Sequence, residues 1–337
     1  MKAYVLEGVN NLRYEECEVP TLKDNWCLLK VKAAGICSSD IPRIFTKGTY
    51  HFPTIPGHEF SGIVEAVASK EDEYWVGKRV GVFPLIPCMD CEQCKKHNYE
   101  TCANYDYIGS RRDGAFAEYV AVPCWNLVEL PEKVSFTHAA MLEPLSVALH
   151  ATKKAGGINE KSFATIGTGM IGFAVAQWAK MLGAYVTVIG RSKDKKTIAD
   201  QIGVHYVAQK EEEITEKYDV VLEATGNNAS IEKSLEIVKP GGTVVLMGNP
   251  AGDIALPQDI YWNILRKQLT IKGTWNSSYE SDNTCDWSDV VDAIQEGNVI
   301  VDPLVSHLFS QEDLPKGLQV MRNHTENYCK IITLWNE

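Results

Sequence analysis

Four cysteines, Cys88-x-x-Cys91-x-x-Cys94-x7-Cys102, lie within fifteen residues of one another. Thiolates at that spacing can converge tetrahedrally on one Zn²⁺. The residues between them are polar and turn-rich (Met89-Asp90, Glu92-Gln93, Lys95 to Thr101) and offer no apolar stripe, so a metal is expected to hold the lobe. A disulfide cluster is the competing reading. The tight C-x-x-C spacing and the lack of a secretory leader favour the metal. A closed site of this kind is structural. A second, open site is suggested by Cys37 in Cys37-Ser38-Ser39-Asp40, by His58-Glu59 after a proline-rich turn, and by Glu143-Pro144 at the start of an apolar helix. One thiolate, one imidazole and one or two carboxylates make an open zinc site, at which a substrate oxygen can be polarised. Taken singly, a His or a Glu is more often a surface or capping residue.

Gly167-Thr-Gly169-Met170-Ile171-Gly172 stands between an expected strand and an expected helix. The first glycine permits a tight turn and the second lets the backbone approach a pyrophosphate. The third lets helix and strand pack closely, with the helix N-terminus facing the charge. Further strand–helix units follow, so the turn reads as dinucleotide-binding rather than merely structural. The end of the next strand reads Val186-Thr-Val-Ile189-Gly190-Arg191-Ser192. The acidic residue that would hydrogen-bond the ribose 2′-hydroxyl of NAD is replaced by Gly190. Arg191 and Ser192 follow, with Lys193 close by, and a guanidinium suits a 2′-phosphate. NADP(H) is therefore favoured over NAD(H), against the alternative of an ordinary exposed arginine.

These groups need elements to carry them. The chain has 337 residues, enough for two domains. Apolar content of 45% and charged content of 23% are those of a soluble globular protein. No apolar run is long enough to span a bilayer, and a cytoplasmic location without membrane partner is expected. With 33 Lys and Arg against 44 Asp and Glu, a formal charge of −11 argues against nucleic acid as partner. Cys17, Cys27, Cys124, Cys285 and Cys329 are scattered and read as free thiols in apolar surroundings. The first 150 residues carry short β patterns: 3–7, 27–33, 62–67, 79–83, 117–122 and 126–130. They are broken by Gly, Pro and Asn, as in an irregular antiparallel β domain. A helical pattern covers 135–154. From Lys161 strands (163–166, 185–189, 219–223, 243–247, 270–274) alternate with helices (170–182, 194–202, 231–238, 258–266), which predicts a parallel sheet. Helices near 288–295 and 314–321 and a strand at 330–334 are expected to return to the first domain. The class is α/β. The domains are read as 1–150 with 286–337, containing the cysteine lobe at about 86–104, and 151–285.

Together the motifs carry a resemblance over nearly the whole chain. Gly35-Ile-Cys37-Ser-Ser39-Asp40, Gly57-His58-Glu59-Phe-Ser-Gly62, the four-cysteine lobe, Asp113-Gly-Ala-Phe-Ala-Glu-Tyr119, Glu143-Pro144 and Gly167–Gly172 resemble those of the zinc-dependent medium-chain dehydrogenases. Glu143 stands where simple alcohol dehydrogenases carry a zinc-binding cysteine, which places the chain nearer the polyol branch. Ser39-Asp-Ile-Pro-Arg43-Ile-Phe-Thr-Lys47-Gly and Tyr107-Ile-Gly-Ser-Arg111-Arg112-Asp-Gly114 are similar to segments of the galactitol phosphate dehydrogenases within it. Gly190-Arg191 departs from those enzymes, which carry an acidic residue there.

The resemblance implies a GroES-like catalytic domain and a Rossmann doubly wound domain, with two zinc ions per chain. Cys37 and His58 would be direct ligands of the catalytic zinc. One of Glu59 and Glu143 would ligate directly while the other holds a water or exchanges with it. Ser39 would belong to a proton relay, and His51 could lead protons outward, although a surface histidine is the plainer reading. Arg43, Lys47, Arg111 and Arg112 would contact a substrate phosphate, against the alternative of surface salt bridges. The implied reaction interconverts a sugar-alcohol phosphate of the galactitol-1-phosphate type and a keto-sugar phosphate by hydride transfer to or from NAD(P). The alternatives are an unphosphorylated or pentitol-type polyol (sorbitol, xylitol, arabitol) and, from another class, a non-catalytic sensor keeping the fold. Zinc-free quinone reduction is a further possibility that the retained ligands oppose. Pairing through the edge strand near Thr270–Thr274 would give a homodimer or homotetramer.

Overall fold

The computed structural model of the chain describes residues 1–281 and 284–336. These fall into two units: Met1–Glu143 with Ser278–Glu296 and Val305–Glu337, and Pro144–Ser277 with Gly297–Leu304. The division falls at Glu143/Pro144, inside the helix Leu142–Lys154, where the sequence had suggested 150/151. The chain re-enters the first unit at Ser278 rather than at 286 and leaves it again for Gly297–Leu304.

The first unit is built on a seven-stranded sheet. Val305–Ser310, Lys330–Leu334, Trp26–Ile36, Glu59–Val67, Arg79–Val82 and Leu127–Glu129 lie side by side in that order, and Tyr119–Pro123 also pairs with Trp26–Ile36. Trp26–Ile36 alternates half-buried and buried residues before becoming wholly buried at its end, as a strand does when it runs from an edge into a core. Its neighbours on both sides are antiparallel, with Gly35 opposite Glu59 and Ile36 opposite Ile331. Consequently the end of one strand meets the starts of two others. Cys37, His58-Glu59 and Lys330 are brought to one end of the sheet although they are far apart in the chain.

The expected helix over 135–154 is two helices, Phe136–Ala139 and Leu142–Lys154. Pro144 lacks an N–H, so it is tolerated only in a first turn, and the second helix therefore starts just before it. That start places Glu143 in the first turn.

The second unit is a six-stranded parallel sheet in the order His205–Ala208, Tyr185–Gly190, Ser162–Ile166, Tyr218–Glu223, Val238–Leu246, Thr270–Gly273. Counted along the chain this is 3-2-1-4-5-6, the doubly wound dinucleotide-binding arrangement. Its central strands are continuous buried runs, as expected when helices cover both faces. The helix Met170–Met181 is buried over most of its circumference, which its apolar sequence MIGFAVAQWAKM requires. Among the described residues no helix is long and apolar enough to cross a membrane.

Candidate active site

The lobe Cys88–Cys102 is held by a short helix, Glu92–Lys95, and by reverse turns. The Sγ–Sγ separations are 4.0 Å for Cys88–Cys94, 3.5 Å for Cys91–Cys94 and 3.9 Å for Cys91–Cys102. A tetrahedron with Zn–S bonds near 2.3 Å has S–S edges of about 3.8 Å, so the four sulfurs fit a zinc ion. Two of the thiols are already biased toward thiolate. The Cys94 and Ala103 amides pull Cys91 down to about 6, and the Asp90 and Cys91 amides lower Cys88. Burial and the neighbouring Cys102 push Cys94 the other way, up to about 12, so a metal would have to displace that proton. The lobe does have a small apolar support that its sequence concealed. Tyr99, Tyr105 and Trp125 pack on the cysteines. Trp125 meets Tyr279, which stacks on Phe83 at 4.6 Å and donates its hydroxyl to the Trp125 and Leu127 carbonyls.

At the sheet end, ligand atoms of Cys37, His58 and Glu59 lie within 4.8 Å of one another. This set of one soft thiolate, one imidazole and one carboxylate, with no fourth ligand among the described residues, suits an open zinc site. Asp40, wholly buried, organises it. One of its carboxylate oxygens accepts the Cys37 amide at 3.0 Å, and the other lies 3.4 Å from His58 Nδ1 and 3.5 Å from the Arg43 guanidinium. Burial alone would raise the Asp40 pKa, but His58 and Arg43 outweigh it and hold the carboxylate ionised. A carboxylate on Nδ1 fixes the imidazole tautomer and leaves Nε2 as the ligand. Ser39 donates to Cys37 Sγ at 3.2 Å and accepts from Arg43 at 3.0 Å.

Glu59 is almost completely buried, and its Oε2 is paired with the Lys330 ammonium, which is also buried and bonds the Ile36 carbonyl at 3.3 Å. Burial opposes the charge on Lys330, yet Glu59 and Cys37 more than restore it and raise its pKa. Glu143 is not part of the three-residue group. It accepts a hydrogen bond from Tyr107 at 3.2 Å, and burial, then the Glu59 charge, lifts its pKa to about 7. Tyr107 is itself driven upward by burial and by Glu143, so its phenol stays protonated and keeps the proton it donates to Glu143.

Of the four cations singled out from sequence, Arg43 alone bonds to residues of this cluster. Arg112 is paired with Asp106 and lies over Trp26. Arg111 is sandwiched between Tyr50 and Tyr105, 4.2 and 4.4 Å from their centroids. Lys47 is exposed at the end of a π-helical turn over Arg43–Lys47. His51 is exposed, with its ring nitrogens against the Pro53 and Arg111 carbonyls at 3.0 and 3.1 Å.

In the second unit the turn between Ile166 and Met170 has the geometry expected of a phosphate cradle. Gly167 has φ +125°, and a Cβ on Gly172 would lie 2.0 Å from the Gly167 carbonyl oxygen. Gly169, at the N-terminus of Met170–Met181, is exposed, and nothing would meet a Cβ placed there, so the approach to the helix N-terminus is open. Met170 is buried beneath the turn and Ile171 half-buried. At the next strand end a Cβ on Gly190 would fall 1.9 Å from the Tyr206 hydroxyl, which donates to the Ser192 carbonyl at 2.6 Å. The phenol thus occupies the space an acidic side chain would need. Arg191 is exposed, whereas the Ser192 hydroxyl donates to Asp194 at 2.7 Å.

Two family matches agree with these geometries. Residues 23–132 match the alcohol dehydrogenase GroES-like domain, and residues 171–296 match zinc-binding dehydrogenase. A galactitol 1-phosphate 5-dehydrogenase of Escherichia coli (strain K12) is 34% identical over 336 residues, covering 96% of this chain and 97% of the relative. The chain belongs to the zinc-binding alcohol dehydrogenases. A crystal structure of galactitol-1-phosphate dehydrogenase from Escherichia coli superposes with a TM-score of 0.91 at 32% identity, covering 99% of this chain and all of that one. A zinc-binding dehydrogenase from Sinorhizobium meliloti 1021, solved bound to NADP, gives 0.89 at 28% identity, covering 99% and 98%. This member of the family is accordingly an NAD(P)-dependent oxidoreductase of the alcohol and polyol type, with a GroES-like domain and a Rossmann-like domain.

Asp40, Tyr107, Lys330 and Tyr206 were not assigned roles by sequence reasoning. Asp40 was within reach of it, since Cys37-x-x-Asp40 crowds a carboxylate against a candidate ligand. Lys330 gave one signal, a cation opening the otherwise apolar strand Lys330–Leu334.

Proposed function

We propose that this chain is a zinc- and NADP(H)-dependent dehydrogenase that interconverts a sugar-alcohol phosphate, of the galactitol-1-phosphate type, and its keto-sugar phosphate. The observation that carries the reading is the meeting of Cys37, His58 and Glu59 at one sheet end, with the guanidinium of Arg43 bonded into the same cluster. Zinc held by these residues supplies a Lewis acid that polarises the substrate hydroxyl, and the bound nicotinamide supplies the hydride acceptor. The protein's part is positioning and charge. Asp40 holds His58 in one tautomer. Lys330 fixes where the Glu59 carboxylate lies. Tyr107 holds Glu143, which is set close to neutrality and suits a water-holding role beside Glu59.

Ser39 is the hydroxyl we place in the proton relay, because it sits against Cys37. Arg43 orients Ser39 but cannot relay its proton, since a guanidinium does not deprotonate. Arg43 is therefore the cation we assign to the substrate phosphate, ahead of Arg111 and Arg112, which are committed to aromatic and acidic neighbours. NADP(H) is favoured by the absence of a carboxylate at Gly190 and by the exposed Arg191 that follows it. The four-cysteine lobe takes the second zinc. The unpaired sheet edge at Thr270–Gly273, which carries the exposed Ile271, supports a homodimer or homotetramer. Reduced thiols in the lobe suit the cytoplasm.

The test is a turnover comparison of phosphorylated and free polyols, run with NADP⁺ and NAD⁺ in parallel, on the wild type and on Arg43→Ala. The substitution should raise KM for the phosphate ester at least ~10-fold, because a charge-assisted bond is lost, and change KM for the free polyol far less. Equal effects on both would remove the phosphate reading and leave an unphosphorylated polyol as substrate.

A further inference from the structure

We propose that Glu223 is a positioning residue for the dinucleotide, acting through Thr225 on the glycine turn. This inference rests on the reading of Gly167–Gly172 as a cofactor cradle. In the strand order 3-2-1-4-5-6 the switch lies between Ser162–Ile166 and Tyr218–Glu223, and ligands bind beyond the C-terminal ends of the strands at that point. One wall of the crevice is the glycine turn. The other is the turn that follows Glu223. The two walls are joined, because the Ala224 amide donates to the Ile166 carbonyl at 3.0 Å, and they press together. A Cβ on Gly167 would lie 3.1 Å from the Thr225 methyl carbon.

Glu223 fixes that second wall. It is 1% exposed and has no cation paired with it in the described structure. Its Oε1 instead collects three donors: the Thr225 amide at 2.7 Å, the Thr225 hydroxyl at 2.6 Å and the Gly226 amide at 3.0 Å. Its Oε2 also lies 3.1 Å from the Gly226 amide. The Thr225 hydroxyl is then an acceptor for Asn227 Nδ2 at 2.8 Å, and Asn227 Oδ1 caps Asn228–Ile237 through the Ser230 amide at 3.0 Å. The chain of bonds locks the rotamer of a β-branched side chain whose methyl abuts Gly167. Burying a carboxylate on neutral donors alone is costly. A side chain used only to close a turn could be a short polar residue, so the cost points to a task of setting the width of the phosphate turn. Gly226, whose amide meets Glu223, has φ +75°, a backbone conformation that favours glycine.

The substitution Glu223→Gln keeps size and shape but places an amide nitrogen where Oε2 meets the Gly226 N–H. Thr225→Val removes the hydroxyl and keeps the methyl. The measurement is the dissociation constant of NADPH, read from the change in nicotinamide fluorescence, beside the melting temperature of each variant. We expect both variants to fold and to bind NADPH about tenfold more weakly, the loss of one bond to a charged group, with kcat at saturating cofactor nearly unchanged. A purely structural role would lower the melting temperature and leave the affinity of the folded protein at its wild-type value, and that result overturns the proposal. Thr225→Val decides the matter should Glu223→Gln not fold. If the wild type bound neither NADPH nor NADH, the cofactor reading itself would fall and this inference with it.

Discussion

Replacing Gly190 by aspartate is the obvious way to turn such a cofactor site toward NAD⁺, and the structure says that by itself it will not work. A Cβ at 190 would lie 1.9 Å from the Tyr206 hydroxyl, 2.6 Å from its Cζ and 2.8 Å from the Thr168 methyl, all closer than real carbons approach. The phenol must move, and its 2.6 Å bond to the Ser192 carbonyl must break. Overpacking costs about 1–3 kcal/mol and the lost hydrogen bond about 1 more, so Gly190→Asp should destabilise by roughly 2–4 kcal/mol. For a unit of this size that is on the order of 10 °C in its melting transition. In Tyr206→Ala the ring is gone and the carboxylate has room. The two changes should therefore be strongly non-additive, with the double variant more stable than the sum of the singles by about 2 kcal/mol. Its ratio of kcat/KM for NAD⁺ over NADP⁺ should exceed that of Gly190→Asp at least ~10-fold, the value of one good charge-assisted bond. Melting curves and initial rates for the four proteins of the cycle settle it. A Gly190→Asp protein that melts like wild type, or strictly additive changes, would show that Tyr206 does not occupy the acidic position.

Three further outcomes follow from the first unit. Lys330→Met leaves Glu59 buried without its cation, and should cost about 3–5 kcal/mol in urea denaturation, with Lys330→Arg losing less. Cys37→Ser and Cys91→Ser should each lower bound zinc by one equivalent by elemental analysis. The first should abolish turnover with little change in melting, and the second should lower the melting temperature. In metal-free protein the pH dependence of stability has a definite sign. Glu143 has a folded pKa raised by burial to about 7 from 4.5, so the folded state holds a proton the unfolded state has released. Its contribution to stability is complete below the unfolded value and is lost as pH rises through that window. Thermal unfolding from pH 4.5 to 8 should show this decline, and Glu143→Gln should flatten it.

The chemistry-bearing motifs of this chain are local, and local motifs survive in a sequence. The glycine turn, the four cysteines and the pairs Cys37/Ser39 and His58/Glu59 all lie within short segments whose side chains must act together. The alternating strands and helices of the second unit are legible for the same reason, since buried parallel strands are continuous apolar runs. Of the partners that tune the site, Asp40 is local to Cys37, whereas Lys330 and Tyr206 are long-range, and sequence spacing does not tell which residue each one meets. Lys330 meets Glu59 only because two antiparallel neighbours share Trp26–Ile36. Tyr206 reaches Gly190 across adjacent parallel strands whose register pairs Val188 with Tyr206 and Gly190 with Ala208. The three flagged arginines and one lysine looked alike in sequence, and only their bonding and stacking partners separate Arg43 from Arg111 and Arg112. The break between Phe136–Ala139 and Leu142–Lys154 was hidden because apolar residues continue at helical spacing across it. Pro144 was the clue to where the second helix begins.

The first unit draws its sheet from both halves of the chain, and this bears on the order in which the protein can mature during synthesis. The strand Lys330–Leu334 inserts between Val305–Ser310 and Trp26–Ile36, so the Ala33–Ile36 end of that strand, beyond the part paired with Tyr119–Pro123, has an open flank until Lys330–Leu334 has left the ribosome. Until then Glu59 has no ammonium to sit against, and the Cys37–His58 pocket cannot reach its finished form. The Pro144–Ser277 stretch has no such wait, because all six strands of its sheet are contiguous in translation order. Nascent chains should thus complete the parallel sheet of the second unit well before Lys330 reaches Glu59 beside Cys37 and His58.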